Sequence, residues 1–159
     1  MNDQEAYHEL CAYTLTKGDP AFLHQHVGDA FAAQTADEKT KPITVTFALV
    51  GLYLHLEEQF SGRQVQRAHQ YLARRARAWP SLPLPKRRGA LTAADVLRTE
   101  GAGRDAAIHR WCTAVWESFC QENGEAAQIV RGLCEELARF GPATANNCRS
   151  KENYGRAWP

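Results

Sequence analysis

The chain has no Cys-x-x-Cys pair, no apolar run long enough to cross a bilayer and no convincing β-strand. Each absence removes a class of protein. The five cysteines, Cys11, Cys112, Cys120, Cys134 and Cys148, are odd in number and scattered, which is neither a disulfide framework nor a zinc knuckle. They read as reduced thiols. The first residues, Met1 to Glu5, carry acidic groups and no apolar core, so a secretory signal is not expected. Ile43 to Leu56 is the most apolar stretch, too short to span a membrane and already interrupted by His55. Internal repeats and low-complexity segments are lacking too. A soluble, cytoplasmic protein is the expectation.

What is present is ordinary in amount. The 159 residues are 44% hydrophobic and 23% charged with a net charge of +1, the composition of one folded domain with a sizeable core. The punctuation is helical throughout. A first helix is expected over residues 4–17, stopped by Gly18. Asp19-Pro20 supplies a cap and a proline at the first helical position, starting a second helix to about Ala36. Pro42 opens a third, 42–60, apolar nearly all round and therefore central. Ser61 and Gln64 have capping-box spacing, and a fourth helix runs on to about Ala78. Prolines 80, 83 and 85 then forbid helix and give an extended crossover. Thr92 to Asp95 is another capping box, opening a short helix to about Glu100. Helices over roughly 104–121 and 124–140 complete the count. The fold class expected is all-α: a four-helix bundle core, with additional C-terminal helices after the proline-rich crossover. Residues 1–140 form the single domain, and 141–159 a polar, loosely ordered tail.

Six histidines are the first functional candidates, because imidazole is the commonest metal ligand. Advancing 100° per residue puts His69 inside the stripe of Val65, Leu72 and Ala76. His55 shares a face with Ala48, Gly51 and Leu52. His8 falls at the edge of the first helix's apolar face, and His26 lies closer to an apolar centre than His24. His109 sits among charged residues and reads as exposed. Four successive helices thus each offer one inward histidine: His8, His26, His55 and His69. Facing helices that project such ligands inward are one way to build a metal site, suited here to zinc, nickel or iron. Glu58, three residues after His55, is the candidate general base or supporting carboxylate. A small-molecule substrate would follow. The plainer alternative stays open: each histidine alone also fits a hydrogen-bonded core or boundary residue.

Stricter motifs fail. His8-Glu9 begins like a zincin helix, but Ala12 stands where the second histidine is required. His55 and Glu58 run in the opposite order from the Glu-x-x-His pair of di-iron bundles. Gly101-x-Gly103 with Ala106 has the dinucleotide spacing but lacks a preceding strand. Cys11, three residues from His8, could pair with it as nucleophile and base.

Charge gives the second constellation. Between Gln59 and Ala94 lie eight basic residues and no acidic one, while the remainder carries 11 basic against 18 acidic, a net of −7. Arg74, Arg75, Arg77, Lys86, Arg87 and Arg88, with Tyr71 and Trp79 near for stacking, could hold nucleic acid or another anion. The alternative is a solvated helix face followed by a basic loop.

Several phrases carry a family resemblance: Tyr7-His8-Glu9-Leu10-Cys11, Phe22-Leu23-His24-Gln25-His26-Val27, Leu49 to His55, and Ser61-Gly62-Arg63-Gln64-Val65-Gln66-Arg67-Ala68-His69. With Trp79-Pro80, Arg88-Gly89, Thr92 to Asp95 and Trp111-Cys112, they resemble a family of small bacterial proteins known as a domain of unknown function. The likeness covers roughly residues 5 to 120 and implies no reaction, cofactor or site residue. In class, the chain is also similar to DinB-type four-helix bundles, which hold a metal on three inward histidines. A likeness of that kind does not transfer function.

Overall fold

The computed structural model describes residues 1–75, 77–121 and 124–140. The tail from 141, with Cys148 and the expectation of loose order, lies outside the described residues. Among them the structure is all-helical. The helices are α1 (Asp3–Thr16), α2 (Leu23–Thr35), α3 (Pro42–Leu56), α4 (Gly62–Ala73), α5 (Ala93–Leu97), α6 (Gly103–Cys120) and α7 (Glu125–Phe140). No helix there is long and apolar enough to cross a membrane.

Caps fix most of the starts. Asn2, Ser61 and Thr92 each accept from the backbone N–H three residues on, while Glu5, Gln64 and Asp95 reach back to the cap, so α1, α4 and α5 all begin with reciprocal capping boxes. Pro42 occupies the first turn of α3.

Several ends differ from the sequence expectation, among them the short α5, which stops at Leu97 rather than near Glu100. α2 begins at Leu23, because Asp19 and Pro20 form a turn in which the Phe22 N–H bonds the Asp19 carbonyl. Phe22 closes that turn with a left-handed φ of 54°. The exposed Ala21 carbonyl then accepts from the Gly62 N–H, so the start of α4 docks on the turn before α2. A Cβ at Gly62 would overlap the Phe22 carbonyl oxygen; the close approach requires glycine. α3 ends at Leu56, where the Phe60 N–H returns to the Leu54 carbonyl with Gln59 at φ 58°. α4 stops at Ala73, before the expected 78.

The two central helices are α2 and α3. They pack along each other; α2 also meets α1, α4 and α6, and α3 also meets α4, α6 and α7. The helices after the crossover therefore share the core directly. Trp111, Ile108 and Leu137 from α6 and α7 are as fully buried as Leu10, Leu49, Leu52 and Leu72. Gln34 of α2 holds the crossover. Its amide donates to the Arg88 and Leu91 carbonyls at 2.9 and 2.7 Å, its Oε1 accepts the Trp111 indole N–H at 2.9 Å, and its own carbonyl accepts from Arg88.

Candidate functional site

Polar groups gather in the interface of α2, α3 and α6. On α2, His26 and Asp29 lie one turn apart; on α3, Gly51 and His55 do the same. These pairs face each other in two adjacent layers. In one, the His26 and His55 rings stack with centroids 3.6 Å apart and planes 16° apart. In the other, the Asp29 carboxylate lies on Gly51, where a Cβ would overlap its Oδ2. His109 of α6 meets the outer ring edge-on, 5.5 Å from His55 at 84°.

The hydrogen bonds of this seam are incomplete. Burial is deepest at His26, 2% exposed, and Asp29, 5% exposed. His55 Nδ1 lies 3.3 Å from the Phe60 carbonyl oxygen. A carbonyl only accepts, so Nδ1 carries the proton, and Nε2 of the neutral ring presents its lone pair. That Nε2 has no partner; neither do His26 Nδ1 and Asp29 Oδ2, all three buried. Asp29 Oδ1 accepts from the Gln25 amide at 3.0 Å. Cys112 donates its thiol to the His26 carbonyl at 3.6 Å.

The electrostatics favour the uncharged forms of His26 and His55. Burial lowers the His26 imidazole to about 3, with smaller depressions from the neighbouring His55 and His109. Burial lowers His55 as well, against the Phe60 carbonyl that favours its charged form. Burial raises Asp29 well above the ordinary carboxylate range and favours its protonated form, opposed only by Gln25. Burial also pushes up the Cys112 thiol, with Asp29 adding to it.

The remaining predicted residues go elsewhere. His8 is exposed on α1 and bonds the Gln4 amide at 3.0 Å. His69 bonds the Phe47 carbonyl through Nε2 at 2.8 Å and stacks on the Phe47 ring. Of the four expected histidines the fold brings together only His26 and His55, because α1 turns His8 outward and α4 meets α3 a full two turns from His55. Among the described residues, no three His, Cys, Asp or Glu side chains stand converged as a ready metal cage. Glu58 accepts the Tyr53 hydroxyl at 3.0 Å. The carboxylate that shares a cleft with His109 is its neighbour Glu57. Cys11 faces Tyr7 rather than His8; burial raises its thiol, which leaves it unactivated.

The basic stretch divides in two. Arg75 and Arg77 both bond Glu136, at 2.7 and 2.6 Å, and Arg88 donates to the Gln34 and Pro85 carbonyls. Arg74, Lys86 and Arg87 are exposed.

Sequence reasoning missed Asp29 and His109. Asp29 was legible as the residue three after His26, on the same face. His109 was read correctly as exposed, but its contact with His55 depends on how α6 crosses α3, which no local pattern encodes.

Fold and site together define the class: an all-helical protein whose central helix pair buries two stacked, neutral imidazoles. Residues 4–120 match DUF5946, a family of unknown function, and the chain belongs to that family. No curated protein and no solved structure is significantly similar to it.

Proposed function

We propose that the protein binds a divalent transition metal ion through His26 and His55, with His109 as the third nitrogen donor. The observation that carries this is the state of His55: Nδ1–H is given to a backbone carbonyl, while the opposite nitrogen, buried and unprotonated, meets nothing. Metal-ligating histidines are oriented by that same outer hydrogen bond. His26 adds a second unpaired nitrogen on the ring stacked against it. The depressed pKa values of His26 and His55 support the reading, because only neutral rings coordinate. Nitrogen donors suit zinc, nickel or iron among the divalent ions. Ligation requires the rings to turn from face-to-face to edge-on about Cβ–Cγ, a torsion with a broad energy profile. His109, at the surface, has room to follow. A metal so held would supply Lewis acidity toward a small-molecule substrate.

The competing use of residues 63–88 as an anion or nucleic-acid surface is weakened by Arg75, Arg77 and Arg88 being tied internally.

Elemental analysis of untagged protein tests the proposal. About one equivalent of metal is expected, lost in His26→Ala and His55→Ala and kept in His69→Ala. Protein that takes up no zinc, nickel or iron on incubation, or a His26→Ala/His55→Ala double variant that still holds the ion, overturns it.

A further inference from the structure

Asp29 is an unusual group to find in this core. Among the described residues the buried polar side chains are Thr14, His26, Asp29, Thr46 and Ser118, so it is the one carboxylate of that set. The helix pair makes room for it, because any side chain at Gly51 would overlap the carboxylate. Its Oδ1 accepts from Gln25, while Oδ2 is buried and meets no partner. A buried polar atom left so costs free energy, which points to a partner taken up from solution.

Two more atoms in the same seam share that condition. His26, three residues before Asp29 on α2, has Nδ1 without a partner; His55, one turn beyond Gly51 on α3, has Nε2 without one. Residues three apart on a helix are neighbours on its surface, so His26 and Asp29 can approach one ion together. The Gln25 bond ties the Asp29 side chain back toward the start of α2, the direction in which His26 lies.

The oxygen brings what the nitrogens lack. Three neutral imidazoles leave the full charge of a divalent ion uncompensated, and such a charge in a core is costly. The carboxylates nearby are engaged otherwise: Glu58 accepts the Tyr53 hydroxyl, and the exposed Glu57 accepts the Trp116 indole N–H.

We infer that Asp29 Oδ2 is the anionic ligand of the ion held by His26, His55 and His109. The assignment rests on the metal reading above and adds its charged donor. From the protonated form, which burial favours, binding is an exchange. The Asp29 O–H bond breaks, its electron pair forms the bond to the metal, and the proton leaves to solvent. The carboxylate turns from Gly51 toward the rings as the rings turn edge-on.

Zinc titrations of metal-stripped protein, with carboxyl-carbon NMR of aspartate-labelled samples, test it. Zinc is expected to move one aspartate carboxyl signal, the one missing from Asp29→Asn. That variant keeps the oxygen and loses the charge, and should bind zinc roughly a hundredfold more weakly, the upper end of what loss of an outer partner costs. Asp29→Ala, which removes both, should bind more weakly still. Asparagine retains the acceptor for Gln25, so the fold persists. Zinc affinity unchanged in Asp29→Asn but lost in His55→Ala, or an Asp29 carboxyl signal that zinc does not move, overturns the inference and leaves the histidine site standing. Wild-type protein that binds no zinc overturns both.

Discussion

Asp29→Asn should stabilise the metal-free protein at neutral pH and make its stability fall faster on acidification. In the folded state burial raises the Asp29 carboxyl well above the 3.8 at which it ionises in the unfolded chain. The folded state therefore binds one more proton over the interval between those values, and stability rises as pH falls through it. His26 and His69 have the opposite sign. Burial lowers them to about 3 and about 4 from 6.5, so the unfolded chain binds the extra protons and stability drops as pH falls below 6.5. Each proton of difference is worth about 1.4 kcal/mol per pH unit. From pH 6.5 to pH 5 each histidine thus costs about 2 kcal/mol, and Asp29 offsets part of that loss. The wild type should therefore lose less over that range than Asp29→Asn, which keeps the histidine losses of about 4 kcal/mol without the offset. His55 adds to both losses alike and cancels from the difference. Urea denaturation at three pH values in the presence of a chelator measures it, with asparagine retaining the acceptor for Gln25. Parallel stability curves for the two proteins would refute the reasoning, since they would mean that Asp29 is ionised in the fold.

Other outcomes follow from single contacts. Gly51→Ala should cost about 2 kcal/mol or more by overlap with the Asp29 carboxylate, and much of that cost should vanish in an Asp29→Ala background; thermal melts of the four proteins in the cycle decide it. Gly62→Ala should cost about 1–3 kcal/mol, because the overlap is with backbone and no side chain can move aside. Ser61→Ala should cost about 1 kcal/mol through loss of the α4 cap, read by urea denaturation. Lys86→Glu with Arg87→Glu should leave metal content and melting temperature unchanged, whereas an anion-binding surface would show affinity falling steeply with salt and lost in that variant.

The helices were legible in the sequence because their signals are local. Asn2, Ser61 and Thr92 cap within three residues of themselves, and Pro42 sets its own first turn. The starts and stops that moved depend on remote partners. Asp19-Pro20 has the signature of a helix start, yet Gly62 binds the carbonyl just beyond it and holds a turn there instead. The candidate site divides the same way. The inward faces of His26, His55 and His69 follow from periodicity alone. Which of those faces meet depends on the helix crossings, and these carry His26 onto His55 while leaving His69 against Phe47. Carboxylates were harder still: Asp29 is buried against a glycine on another helix, a pairing visible only once α2 and α3 are side by side.

Gln34 sets an order on assembly. Its amide and carbonyl groups anchor a crossover more than fifty residues away in sequence, and its oxygen meets the indole of Trp111 on α6. The loop has no regular structure of its own to stabilise it before those partners exist. Docking of the crossover is therefore expected to follow the pairing of α2 with α6. For the same reason it should detach before the central helix pair under mild denaturant, and hydrogen exchange at the Gly89 and Leu91 amides should open at lower free energy than exchange in that pair.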